Sequence, residues 1–81
     1  MNIRVRLFSV VKDIVGFDEQ TVEVAPHADT ADVLRQLVES HPALASWEKS
    51  LRLAVNCEYV PASHRLKEGD EVAVIPPVSG G

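Results

Sequence analysis

The fold is decided by the alternating stretch Asn2-Ile-Arg-Val-Arg-Leu-Phe8. Successive residues of a strand point to opposite faces of a sheet, so the aliphatic side chains share one face and the two arginines share the other with Phe8. The stretch therefore predicts a half-buried strand at residues 2–8. A second alternating run, Glu71-Val-Ala-Val-Ile75, predicts another strand, with Val72 and Val74 on one face and Ile75 on the other.

The chain between these two runs has the signals of one main helix and several short strands. It predicts a helical turn at residues 10–15, a strand at 20–24, a helix from a cap at Asp29 or Thr30 to about Ser40, a short helix at 43–49, a strand at 51–55 and a brief pairing segment at 59–60. This order favours an α+β domain: a mixed sheet of four or five strands with one helix on one face. The first and last strands belong near its middle, and the uncovered face then displays Phe8 and Ile75. Contiguous exposed apolar surface favours docking, although scattered surface hydrophobes are normal.

Composition predicts one small packed domain, residues 1–81, because 46% of the residues are hydrophobic and 25% are charged. The net charge of −4 and the lack of a lysine or arginine cluster argue against a nucleic-acid partner. No stretch reaches membrane-spanning length, and we expect no membrane partner. Cys57 is the only cysteine, which excludes an internal disulfide and, without an apolar signal segment, favours the cytoplasm.

Motifs for catalysis or metal binding are not found. The histidines His27, His41 and His64 lack metal-ligand spacing, and the four glycines form no phosphate-binding loop. No motif places a histidine beside Cys57, which we expect to be a small buried apolar residue rather than a nucleophile. The sequence therefore predicts no metal and no cofactor bound by this chain.

The last six residues are Pro76-Pro-Val-Ser-Gly-Gly81. Two glycines make a slender tip that can enter a channel too narrow for a side chain, and the carboxylate of Gly81 is open to attack on a phosphate. The two prolines hold the preceding chain extended. Chain ends also commonly fray, so the glycine pair alone is a weak indication of function.

A larger set of residues carries a resemblance to a known family. The tail with its upstream residues, Gly69-Asp-Glu-Val-Ala-Val-Ile-Pro-Pro-Val-Ser-Gly-Gly81, together with Ala54-Val-Asn56 and the opening Leu7 to Gly16, resembles the small subunits of molybdopterin synthase, the sulfur carriers of molybdenum cofactor biosynthesis. The resemblance implies the ubiquitin-like β-grasp fold, with residues 76–81 as a protruding tail.

The family's chemistry is then implied for Gly81. An E1-like adenylyltransferase would use ATP and magnesium to convert the Gly81 carboxylate to an acyl-adenylate, and a sulfur donor such as a cysteine desulfurase or rhodanese would convert that to a thiocarboxylate. The tail would enter the large synthase subunit and give sulfur to cyclic pyranopterin monophosphate. This chain would be a co-substrate, with the catalytic residues on the large subunit and two copies of each subunit in a heterotetramer.

The resemblance also implies roles for single residues. Gly80 would keep the tip narrow, Val78 and Ser79 would line the channel, and Pro76 and Pro77 would limit the entropy lost on insertion. On the body of the domain, the residues that align with apolar docking positions of the family are Phe8, Tyr59 and Ile75.

Three alternatives remain open. A thiamine-pathway sulfur carrier shares the Gly-Gly end and the activation step, although the proline pair speaks against it. A ubiquitin-like protein modifier would use the same carboxylate to form isopeptide bonds. A pure interaction module would use the open sheet face and ignore the tail.

Overall fold

A computed structural model of the chain describes residues 1–61 and 63–77, and it contains a five-stranded mixed sheet. The strands are β1 (Asn2–Leu7), β2 (Glu19–Glu23), β3 (Arg52–Val55), β4 (Glu58–Val60) and β5 (Glu71–Ile75). Their order is β2-β1-β5-β3-β4, with β1 and β5 parallel and the other neighbours antiparallel. The predicted mixed sheet, with the first and last strands near its middle, is confirmed.

Helices connect the strands where the sequence predicts them. The short helix α1 (Ser9–Val15) ends at Gly16, whose φ of 98° is a left-handed value that glycine tolerates. The main helix α2 (Thr30–Ser40) is capped by Asp29: its carboxylate accepts the Asp32 N–H, and the Asp32 carboxylate accepts the Asp29 N–H. A 3₁₀ helix (Pro42–Ser50) replaces the predicted short helix at 43–49.

The core lies between α2 and one face of the sheet, because the alternate residues of β1 and β5 point there. The buried apolar side chains of these strands are Ile3, Val5, Leu7, Val72 and Val74, all at most 2% exposed. Leu53 and Val55 of β3 extend the same face, and Val33 packs on it from α2. The opposite face has no helix over it among the described elements, and we call it the open face.

The start of β5 is fixed by hydrogen bonds from the β3–β4 turn. Asn56 donates through Nδ2 to Asp70 Oδ1 (3.0 Å) and accepts the Glu71 N–H at Oδ1 (3.1 Å). Asp70 also accepts the Lys67 N–H (2.8 Å), so its carboxylate closes the turn before β5. These bonds hold β5, and therefore the residues leading to the tail, in register with β3.

Candidate functional site

A continuous row of side chains crosses the open face from β1 to β4. Arg6 is paired with Ala73, Ala73 with Ala54, and Ala54 with Tyr59. Two alanines at the centre leave a shallow floor, while longer side chains stand at both ends. Such a shape can receive a ridge of apolar side chains from another protein.

Tyr59, at the end of this row, is one of the three residues predicted for docking, and the next row contains the other two, Phe8 and Ile75. Ile75 is paired with Arg52, and extending the parallel β1–β5 register by one residue brings Phe8 beside Ile75. Phe8 is 38% exposed and Tyr59 is 66% exposed, and these are the exposed large hydrophobics of the described residues. The predicted placement of Phe8 and Ile75 on the open face is confirmed, and the role of these residues in docking stays a prediction.

Both exposed aromatic rings are covered by a guanidinium group. The Cζ atom of Arg6 lies 5.4 Å from the centroid of the Phe8 ring, and that of Arg52 lies 6.0 Å from the centroid of the Tyr59 ring. Distances below about 6 Å are typical of cation–π attraction, which contributes about 0.5–1 kcal/mol at exposed sites. The two contacts restrict the rings and keep them apart on either side of the alanine floor.

A charge network borders this apolar surface. Glu71 lies between two arginines, with its oxygens 3.5 Å from Arg4 Nη2 and 3.5 Å from Arg6 Nη1. Arg4 also binds Glu19, and the hydrogen bond that Arg4 donates to the Glu19 carboxylate is the main cause of the raised pKa of Arg4. All these groups are at least partly solvated, so their contribution to stability is small. Their main effect is to neutralise one another beside the apolar surface.

Two prolines follow β5 in the described part of the chain. Pro76 is buried against the body, contrary to its predicted place in the protruding tail of residues 76–81, and Pro77 is exposed. The predictions for Val78, Ser79, Gly80 and Gly81 concern residues outside the described part of the chain. The open face and the beginning of the tail are therefore adjacent, since Ile75 belongs to one and precedes the other.

The expectation that Cys57 is buried is wrong. Cys57 is exposed in the two-residue turn between β3 and β4, where Asn56 has φ 49° and Cys57 has φ 72°. A turn of this kind projects its second residue into solvent, and the hairpin geometry takes precedence over the usual preference of cysteine for the interior.

Within residues 1–61 and 63–77, no group of three or more His, Cys, Asp or Glu side chains is placed to hold a metal ion. No described helix is long and apolar enough to cross a membrane.

Sequence reasoning missed the part that Arg52, Ala54 and Asn56 play in the site. The alternation of β3 was sufficient to place Arg52 and Ala54 on the open face, opposite to Leu53. Their neighbours depend on the register with β4 and β5, which no local pattern specifies. The sequence distinguishes Asn56 only as part of the Ala54-Val-Asn56 segment of the resemblance, and its bonds to β5 depend on the tertiary structure.

The fold is that of a ubiquitin-like β-grasp domain, and its open face carries exposed apolar side chains beside the C-terminal strand. The chain belongs to the ThiS family, whose sequence model matches residues 5–81. It is 46% identical to the molybdopterin synthase sulfur carrier subunit of Chlamydomonas reinhardtii, with 100% of both chains covered. It is 42% identical to the subunit of that name from Escherichia coli (strain K12), with 98% of this chain and 99% of the other covered. Among solved structures, SAMP1 from Haloferax volcanii matches with a TM-score of 0.86 and 29% identity, over 100% of both chains.

Proposed function

We propose that this protein is the sulfur carrier subunit of a molybdopterin synthase. The proposal rests on the 46% sequence identity, over the full length of both chains, to a relative of that name. The tail residues Pro76 to Gly81 are also of the type that the chemistry needs. The open face supplies the second requirement, a surface by which a carrier can be held while its tail reaches elsewhere. No acid, base or metal of this chain is needed for that role.

The proposed chemistry takes place at the Gly81 carboxylate. A carboxylate is a poor electrophile, so an E1-like adenylyltransferase first couples it to AMP from magnesium-bound ATP, with release of pyrophosphate. A cysteine desulfurase or rhodanese carries the sulfur as a persulfide; a thiol reductant cleaves its S–S bond and is oxidised to a disulfide, and the sulfide released displaces AMP and leaves a thiocarboxylate. In the large synthase subunit, the thiocarboxylate sulfur is transferred to cyclic pyranopterin monophosphate, and water regenerates the carboxylate.

The tail and the body have separate tasks in this proposal. Gly80 has no side chain and lets the tip enter a narrow channel, which Val78 and Ser79 line, while Pro77 limits the conformations lost on insertion. Phe8, Tyr59 and Ile75 bind the large subunit, and two copies of each subunit form a heterotetramer. The reactions take place in the cytoplasm, where the exposed thiol of Cys57 stays reduced.

The charges of the open face support the choice of partner surface. Arg4 and Arg6 already share Glu71, so a partner need not neutralise them. Burial of the apolar rows between Phe8 and Tyr59 then leaves neither of these arginines unpaired, which would be costly, whereas Arg52 beside Tyr59 forms no ion pair with the described residues and must stay hydrated or meet a partner carboxylate. A partner surface that is apolar at its centre and polar at its edge fits this arrangement.

Intact-mass analysis tests the proposal. The purified chain is incubated with a cognate adenylyltransferase, ATP, magnesium and inorganic sulfide, and the expected product is heavier by the exchange of one oxygen for one sulfur. A variant that lacks Gly81 should fold normally and gain no sulfur. An unchanged mass of the full-length chain, or sulfur gain by the shortened one, would contradict the proposal.

A protein modifier is the second candidate, because the chain is similar along its whole length to SAMP1, a small archaeal modifier protein. A modifier would form an isopeptide bond between Gly81 and a lysine of another protein. Trypsin cleaves after Lys67, so each such lysine would carry residues 68–81 as a branched remnant. Remnants of this sequence in digests of cell extracts would favour the modifier over the sulfur carrier.

A further inference from the structure

The outer strand β2 has one backbone edge that no other described strand pairs with. Its bonds to β1 are known at both ends: Val24 exchanges two hydrogen bonds with Met1 (2.8 and 3.0 Å), and the Asp18 carbonyl accepts the Leu7 N–H (2.9 Å). In an antiparallel pair the bonded positions recur at every second residue. The backbone N–H and C=O groups of Glu19, Thr21 and Glu23 therefore point away from β1, toward the free edge of the sheet.

An apolar groove lies beneath this edge, between β2 and α2. Its first cavity has a volume of about 110 Å³, and Val22 and Leu37 form opposite walls. Its other lining residues are Val5, Phe17, Gln20, Val24, Val33, Gln36, Ser40 and His41. Apolar cavities of about 150 Å³ accept ligands as large as benzene, so one aliphatic side chain is of suitable size here.

A second cavity of about 490 Å³ continues the groove, because it shares Val24 and Gln36 with the first. Asp32, Arg35 and Glu39 line it, and Arg35 is bound to Asp32 (2.9 Å). Glu39 has no ion-pair partner among the residues that the structure describes. The groove is thus apolar at one end and acidic at the other.

The open-face side of β2 is also acidic. Glu19 is bound by Arg4, whereas Glu23 forms no ion pair within the described part of the chain. A strand added at the edge would alternate its side chains between the two faces, one set over the groove and the other beside Glu19, Thr21 and Glu23. Apolar residues suit the first set and basic residues suit the second.

A second copy of this chain is a poor occupant. Antiparallel pairing of two β2 strands centred on Thr21 would put Glu19 of one copy opposite Glu23 of the other, and like charges directly opposite each other destabilise a sheet. The same carboxylates would attract a basic segment.

We propose that the β2 edge and the adjoining groove bind an extended segment of a partner protein, in which basic residues alternate with branched aliphatic residues. The segment adds a sixth strand through the outward backbone groups of Glu19, Thr21 and Glu23, places one aliphatic side chain between Val22 and Leu37, and pairs a basic side chain with Glu23. This surface lies at the β2 edge, away from the rows between Phe8 and Tyr59 on the open face, so both can be occupied together.

A synthetic peptide serves as the probe: acetylated and amidated Lys-Ile-Lys-Val-Lys-Ile-Lys, titrated into the ¹⁵N-labelled full chain. We expect saturable shifts of the amides of β2 and α2, and slower hydrogen exchange at Thr21 and Glu23. A peptide of the same composition with its lysines in one block, and one with glutamate at each lysine position, are the controls. Shifts centred on Tyr59 and Ile75, equal binding of the block peptide, or no saturable shift would overturn the proposal.

Matched variants test separately how the backbone edge of β2, the groove and the acidic side chains contribute to peptide binding. Thr21→Pro removes one outward N–H and should weaken binding about tenfold or more, whereas Thr21→Ala keeps it and should change little. Gln36→Trp should obstruct the groove, with Gln36→Ala as its control. Reversal of Glu23 to lysine should weaken binding roughly fivefold, with Glu23→Gln as its milder control.

Ile75→Asp on the open face should leave peptide binding unchanged, so the test is independent of the proposed sulfur-carrier role. Full binding by both Thr21→Pro and Gln36→Trp, or dimerisation of the free chain through β2 in sedimentation analysis, would refute the proposal.

Discussion

Ala54 and Ala73 lie directly opposite each other on β3 and β5, at the centre of the open face. Ala54 is only 5% exposed although it faces away from the core, because larger side chains surround it. Tyr59 stands on one side of this pair and Arg6 on the other. The depth of the open face at its centre is therefore set by two methyl groups, and a larger side chain at either position would raise this floor.

Ala73→Tyr should prevent docking of the large synthase subunit without unfolding the domain. The tyrosine ring would fill the shallow floor and hold a partner surface away from Phe8 and Tyr59, and tyrosine is well tolerated in strands. We expect affinity to fall at least about tenfold, a loss of about 1.4 kcal/mol, measured by calorimetry. Thr21→Tyr, on the same face of the outer strand, is the matched control. Equal losses from both variants would contradict a docking surface centred on Ala73.

Substitutions at two adjacent residues of β5 should affect the stability of the domain and its docking to the large subunit separately. Val74 is 0% exposed in the core, whereas Ile75 points to the open face. Val74→Ala should lower the free energy of unfolding by about 2–3 kcal/mol, because the deletion leaves a cavity. Ile75→Ala should cost less than about 1 kcal/mol of stability and weaken docking. Urea unfolding and calorimetry on both variants check this, and the reverse pattern would show that the faces are misassigned.

The strands and helices were predictable because local patterns specify them. Alternation in β1 and β5 assigns each residue to a face, and the residues before α2 contain a capping signal at Asp29. Alternation also brought Phe8 and Ile75 to the same face before any contact was known. These properties depend on residues close in sequence, so they can be predicted without the tertiary structure.

What could not be predicted depends on pairing between distant segments. The position of Ala54 opposite Ala73 requires the β3–β5 register, and the contact of Arg52 with Tyr59 requires the β3–β4 hairpin. Cys57 was misjudged because its exposure follows from the turn conformation, whereas cysteine as a residue type is usually buried. The groove beneath β2 likewise arises only when α2 packs on the sheet.

Acid should weaken the start of α2 through Asp32. The pKa of Asp32 is lowered from its ordinary value of 3.8, first by the hydrogen bond from the Asp29 N–H and then by Arg35. A lowered pKa means that the folded state favours the charged carboxylate. The contribution to stability is therefore present above about pH 4 and is lost as the pH falls through the lower, folded-state pKa.

Asp32→Asn tests this pH dependence, because the amide does not titrate. The free energy of unfolding of the wild type should exceed that of the variant at neutral pH, and the difference should shrink between about pH 4 and pH 2, measured by urea unfolding. Asp13→Asn on α1 removes a carboxylate that forms no ion pair with the described residues, and it should show no such trend. A difference that stays constant or grows on acidification would refute the assignment.

Cys57→Gly should stabilise the β3–β4 hairpin. Asn56 and Cys57 both have positive φ, 49° and 72°, in a two-residue turn of the kind that favours Asn-Gly. A side chain in the left-handed region costs roughly 1–2 kcal/mol, and part of this is offset because glycine gains entropy in the unfolded chain. We therefore expect the free energy of unfolding to rise by about 0.5–1 kcal/mol, measured by urea unfolding under reducing conditions. Cys57→Ser keeps a side chain at the same φ and should give no increase, so an equal gain from serine would place the effect in the thiol rather than in the backbone.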